Sequence, residues 1–353
     1  MQENKKLKIA VYGISKNESK FVERFCESAK LADHILIADT GSEDDTVEKA
    51  RKCGAVVHEI SVSPWRFDAA RQTALALLPN DIDVCVSLDL DEVLNEGWRE
   101  EIEKMWTGNT NRLQHMFDNN DGLVFAVSRI HGRHGFSWKY PCHEYIIVDP
   151  RVEEHLGVSV FNMMTHMPDS NKSRGLYLPM LEMAIKENPS CSRSQFYYAR
   201  ELLFYKRYSD CIDAFEKYLK MPGAFWHVER SYAYRVIGSC YEMLGKDGTP
   251  WFYKSLGEDP CAREPWMELS LRHYKKLEWP LCYLNAKRAI EQKERYAWHT
   301  ADPKCWGWAP HDLIAVAAHH LGLKEEAIKH GAIALEYEPD NERLATNLAF
   351  YKE

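Results

Sequence analysis

The chain has 353 residues and a formal net charge of −8, from 45 Lys and Arg against 53 Asp and Glu. With 45% hydrophobic and 28% charged residues it is no disordered chain, and its length fits two domains. No apolar run approaches the roughly 18 residues of a transmembrane helix, and residues 1–8 (MQENKKLK) lack the apolar core of a secretion signal.

The first half alternates short apolar runs with helical patterns. Residues 7–14 (LKIAVYGI) read as a buried strand, and 19–31 as a helix with Phe21, Phe25 and Ala29 on one face. A second strand is expected at 34–39, a helix at 46–53 after the Gly41-Ser42 turn, and a third strand at 55–60. A helix over 68–78, a fourth strand over 84–88 and a helix over 96–106 follow. Strands are next expected at 145–148 and at 158–163, the last of the domain. Strands separated by helices mean βαβ units and a parallel sheet, whose ligands sit beyond the carboxyl ends of the strands. The polar residues there are 15–18, Asp39 and 89–92.

Beyond about residue 175 the strand signal gives way to helix pairs. Ala315, Ala318, Ala327, Ala334 and Pro339 match the small-residue and proline spacing of a tetratricopeptide unit, whose period is about 34 residues. Looser copies lie at 195–221, 230–260 (with Gly238) and 264–294, and such units stack to bury a shared face. The break between domains is expected at the polar stretch 168–174 (PDSNKSR). Residues 1–170 carry most of the acidity, and neither half is a basic nucleic-acid footprint.

The strongest chemical signal is Asp89-Leu90-Asp91-Glu92, a DxD pattern directly after the fourth strand. Two carboxylates on the same side of an extended chain repel unless a cation or proton lies between them. Hard oxygen ligands favour Mg²⁺ or Mn²⁺. The competing reading is a cap for the next helix. Asp39 serves equally as a turn residue, Arg71 as a surface partner of Glu43 or Asp68, and His166 as a histidine at a strand end.

Four segments in register resemble the family 2 glycosyltransferases of the GT-A fold, in particular those with a C-terminal helical-repeat domain. They are residues 14–18 (ISKNE), 38–42 (ADTGS, with Asp44 and Thr46), 67–71 (FDAAR) and 88–92 (LDLDE), and a weaker match runs through Cys142-His143-Glu144 and His166. The resemblance implies a GT-A (Rossmann-like) α/β nucleotide-sugar domain with a mostly parallel sheet over 1–170. An all-α tetratricopeptide-like repeat domain follows over 171–353. It implies that residues 14–18, including Ser15 and Glu18, line the nucleobase pocket. Asp39 then contacts the base or ribose, and Arg71 the base or the nucleotide's charged part. Asp89 faces the ribose or metal, Asp91 holds the cation bridging the diphosphate, and His166 completes that metal site. Glu144 is the candidate general base, which takes a proton from the acceptor as it attacks the sugar.

The expected activity is metal-dependent (Mn²⁺ or Mg²⁺), inverting transfer from a nucleotide-diphospho-sugar, with a UDP-hexose first among donors. The acceptor is a peptide, glycan or other polymer, and the repeat half is a candidate site for the acceptor or a protein partner. The alternatives are transfer to a modified nucleobase, an inactive repeat scaffold, and a metal-dependent nucleotidyltransferase. His131 and His134 read as part of a Gly-rich turn, and Trp298, Trp306 and Trp308 as a loop before the last helix pair. The closest of the ten cysteines in sequence, Cys191 and Cys211, are too far apart for a Cys-x-x-Cys motif, so a reducing, cytoplasmic setting is expected.

Overall fold

The computed structural model describes residues 6–167, 174–293 and 298–353. Except for Arg174, the expected domain break at 168–174 lies outside the described residues, as does Glu294 at the end of the third expected repeat. The chain divides by its contacts into two compact units, Met1–Glu187 and Asn188–Glu353.

The first unit runs β1 (Ile9–Ser15), α1 (Val22–Ser28), β2 (His34–Asp39), α2 (Thr46–Lys52), β3 (Val56–Glu59), α3 (Phe67–Leu77) and β4 (Val84–Ser87). It continues through β5 (Glu92–Leu94), α4 (Trp98–Met105), β6 (Arg112–Asp118), β7 (Val124–Gly132), β8 (Phe136–Lys139), β9 (Tyr145–Val148), β10 (Leu156–His166) and α5 (Tyr177–Glu187). Eight strands form one sheet in the order β3-β2-β1-β4-β7-β6-β10-β5, and β8–β9 is a separate hairpin. The strands β3, β2, β1 and β4 are parallel, and β10 is parallel to β6. The remaining pairings, β4–β7, β6–β7 and β10–β5, are antiparallel.

β1 is central because its residues are apolar on both faces. Ile9 and Val11 pack with Phe25 of α1 and with Trp98 and Ile102 of α4. Ala10 and Tyr12 point the opposite way, into Ala74 and Leu75 of α3 and Phe136, Trp138 and Ile146 of the hairpin. Gly13 is required where β1 meets the end of β4, since a Cβ there would lie 2.4 Å from the Leu88 carbonyl oxygen. β1, β2 and β4 therefore deliver Ser15, Asp39 and the segment after Ser87 to the carboxyl edge of the sheet. This is the α/β arrangement expected from the motifs, and it differs in detail. Residues after Asp91 pair as β5 with the end of β10, so the acidic motif leads into a strand before any helix. His131 lies within β7, fully buried, and not in a turn.

The second unit is helical: α6 (Ser192–Phe204), α7 (Tyr208–Leu219), α8 (His227–Met243), α9 (Thr249–Glu258), α10 (Glu264–Lys275), α11 (Trp279–Glu291), α12 (Trp308–His320), α13 (Lys324–Tyr337) and α14 (Glu342–Lys352). Four successive antiparallel-type pairs and a terminal helix give the repeat architecture. Ala315, Ala318, Ala327 and Ala334 are buried, as the small-residue spacing requires. Gly238 lets α8 approach α9, for a Cβ there would come 2.6 Å from the Phe252 ring. A 3-10 turn over Pro303–Trp306 interrupts the expected loop before α12, and Trp308 opens α12 itself. No helix among the described residues is long and apolar enough to cross a membrane.

Candidate active site

The loops after β1 and β2 are laced together by their own polar groups. Ser15 and Ser42 hydroxyls donate to Asp39 Oδ1 at 2.7 and 2.5 Å, and the Gly41 and Ser42 N–H groups donate to Oδ2 at 3.0 and 2.8 Å. Burial pushes the Asp39 carboxyl up, but these donors outweigh it and hold it below the usual carboxylate range. All four of its acceptor positions are thus taken, three by the turn and one by Ser15 of β1. Asn17, at φ 56°, donates its N–H to Ser42 Oγ and accepts from the Glu43 N–H, while the Glu18 N–H donates to Thr46 Oγ1 at 2.8 Å.

Beyond β4 the charges alternate. Arg71, on the buried face of α3, donates from Nε to Glu144 Oε1 and from Nη2 to Asp89 Oδ1, both at 2.6 Å. Its guanidinium lies 5.2 Å from the Trp138 ring, and it pairs with neither Glu43 nor Asp68 in the bonds described. Arg129 of β7 donates to both oxygens of Glu92 at 2.7 Å and lies 3.9 Å from Asp89 Oδ2. Glu92 also accepts the Asp89 N–H at 3.0 Å. Burial raises the Asp89 carboxyl, but Arg71 and then Arg129 prevail and lower it. Glu92, deeper, stays above its ordinary value because burial outweighs the pull of Arg129.

Asp91 takes a different partner. The His166 ring donates from Nε2 to Asp91 Oδ2 at 3.2 Å, and the Met167 N–H donates to the Asp91 carbonyl at 2.7 Å. The structure therefore brings Arg71, Asp89 and Glu144 into one network and Asp91 and His166 into a pair beside it. Among the described residues no three His, Cys, Asp or Glu groups converge on one point. The trio Asp89, Asp91 and His166 is thereby divided between two arrangements. Yet three of the four carboxylates gathered here, Glu144, Asp89 and Glu92, face two guanidiniums, and Asp91 faces His166. The carboxylates outnumber the guanidiniums, and such buried negative charge suits a cation as partner.

The sequence reading missed Arg129. The local signal is that it shares a face of β7 with Val127 and His131. His131 serves a buried chain: its Nδ1–H donates to Gly132 O at 2.8 Å, leaving Nε2 to accept the Tyr12 hydroxyl at 2.9 Å. Trp138 Nε1–H donates in turn to the Tyr12 oxygen at 2.9 Å. His134 instead contacts the Asn80 carbonyl at 3.2 Å.

No protein-family model matches the chain. A stretch of 102 residues, 28% of this chain, is 33% identical to an uncharacterized glycosyltransferase of Rickettsia prowazekii, covering 33% of that protein. A stretch of 98 residues, 27% of the chain, is 36% identical to one from Rickettsia conorii, again over 33% of its length. The chain thus spans about a third of the curated relatives it matches. Over that third it is homologous to proteins named as glycosyltransferases, in agreement with the resemblance carried by the four motifs. Among solved structures it is similar to YrrB, a TPR protein with an unusual peptide-binding site (17% identity, 48% of this chain, 81% of that chain, TM-score 0.38). It is also similar to glucosyl-3-phosphoglycerate synthase from Mycobacterium tuberculosis in complex with Mn²⁺ and UDP (23% identity, 33% of this chain, 46% of that chain, TM-score 0.28). At these scores neither likeness bears on function.

Proposed function

We propose that the chain is a family 2, metal-dependent inverting glycosyltransferase. It moves a sugar from a nucleotide-diphospho-sugar, with UDP-hexose as the leading donor, to a hydroxyl or similar nucleophile on a peptide, glycan or other polymer. The observation that carries this reading is the gathering of Arg71, Asp89, Asp91, Glu144 and His166 at the carboxyl edge of a largely parallel sheet. Ligands bind at that edge in open α/β sheets. Relatives named as glycosyltransferases support the same class.

In this reading the first unit carries the chemistry, and the second presents its repeats to the acceptor or a protein partner. Ser15, Glu18 and the Asp39 turn border the nucleobase; Asp39 meets it by exchanging one of its hydroxyl donors. Asp89, held by Arg71, orients toward the ribose. Asp91 and His166 would hold Mn²⁺ or Mg²⁺, which neutralises the charge that grows on the departing diphosphate. Glu144 accepts the acceptor's proton. Calorimetry with UDP tests the metal role: affinity should require Mn²⁺ or Mg²⁺ and fall by more than about tenfold in Asp91→Ala. Equal affinity with and without chelator would overturn it.

A further inference from the structure

One residue ahead of Glu144, His143 holds φ at 53°, a left-handed backbone that residues with a side chain seldom adopt. Such a conformation persists only where the surroundings over-determine it, and it sets the direction in which the next side chain leaves the backbone. Two elements supply those surroundings. From α3, the Phe67 N–H donates to the Pro141 carbonyl at 3.0 Å, fixing the start of the turn. From the first turn of α5, the Tyr177 ring stacks on the His143 imidazole, with centroids 5.7 Å apart and planes 25° apart. The same ring stacks on Phe67 at 6.2 Å and 25°, so Tyr177 touches both sides of the turn's support. The helix is anchored at its far end as well, where Glu187 accepts from Arg66, the residue before α3, at 3.2 Å. Tyr177 is half-buried and sits close to the charges it would influence. Burial, then Cys142 and Glu144, push its phenol above the ordinary value.

We infer that Tyr177 is a positioning residue: its ring holds His143 in the left-handed conformation and so aims the Glu144 carboxylate at Arg71 and the Asp89 edge. The assignment rests on Glu144 being the base in the function proposed above. It also makes α5, the last element of the first unit, part of the candidate active site, although none of the sequence motifs reaches it. The ring is what matters, since Tyr177 meets its neighbours through it, by stacks on His143 and Phe67 and by the Arg174 guanidinium 5.2 Å from its centre.

The test uses the full chain with Tyr177→Phe, Tyr177→Leu and Tyr177→Ala. Two readouts are taken: hydrogen exchange at the amides of residues 142–145, and kcat and KM for hydrolysis of a UDP-sugar in Mn²⁺. Tyr177→Ala and Tyr177→Leu should speed that exchange by about tenfold or more and lower kcat by roughly 10- to 100-fold, the cost of misplacing a catalytic group by about 1 Å. KM for the donor should stay within about twofold of wild type, because the nucleotide loops are untouched. Tyr177→Phe should restore both. If Tyr177→Ala does not fold, the contrast between the leucine and phenylalanine variants decides. Unchanged exchange in the leucine variant, or a phenylalanine variant as impaired as the leucine one, overturns the inference. If the wild type turns over no nucleotide sugar, the proposed function has failed, and the exchange readout alone judges whether Tyr177 holds the turn.

Discussion

Arg71 joins the two carboxylates on which the proposed chemistry turns, Asp89 on the nucleotide side and Glu144 on the acceptor side. Because the guanidinium keeps both in place, Glu144→Gln should leave the network standing: the amide oxygen still accepts from Arg71 Nε and only the basicity is lost. Donor binding should remain near wild type while transfer falls by roughly 10²–10⁴-fold, the usual share of acid–base catalysis. Full transfer would assign the base to another group, and lost donor binding would assign Glu144 to the nucleotide. His131 offers a separate, purely physical prediction. Burial drives its imidazole down to about 4, against about 6.5 when unfolded. In that window the unfolded chain binds the extra proton, so the stabilisation is complete above about pH 6.5 and is lost as the pH falls toward 4. Its full extent is about 3 kcal/mol. Urea unfolding from pH 7 to 4.5 should show stability falling more steeply in wild type than in His131→Gln. Equal slopes would mean that His131 is not held neutral.

The strands differ in how openly their sequences declare them. β1, β2 and β4 are apolar runs buried on both faces, and β9 coincides with its expected span, 145–148. β6 and β7 escaped because their inward positions hold Arg112, His115 and His131, buried polar residues that interrupt the apolar pattern of a strand. Arg129 meets Glu92 from 37 residues away, and no local pattern announces such a pair. The acidic motif, Arg71 and Glu144 were legible because each stands in a short, recognisable segment. Tyr177 was not, since its meaning comes only from the turn it touches. Helix pairs were legible wherever small residues mark a close approach. Gly238→Ala tests that reading at the α8–α9 crossing, where the added methyl meets Phe252 at 2.6 Å and the Gly248 carbonyl oxygen at 3.0 Å. Overpacking of this kind should cost about 1–3 kcal/mol in denaturant unfolding. A neutral outcome would mean that the helices can move apart at no cost.

At the scale of the molecule, a sheet edge that gathers two guanidiniums and four carboxylates accompanies a stack of helix pairs. In the function proposed above, the surplus of carboxylates would be offset by a cation that arrives with the donor. The same edge in an enzyme that joins nucleotides would release pyrophosphate, and in an inactive scaffold would release nothing. The central claim is therefore tested by what accumulates when the full chain is incubated with Mn²⁺ and a panel of nucleotide sugars. Slow release of a nucleoside diphosphate, UDP first, is expected even without an acceptor, and is lost with chelator and in Asp91→Ala. Release of pyrophosphate, or no nucleoside diphosphate from any donor in the panel, would contradict it.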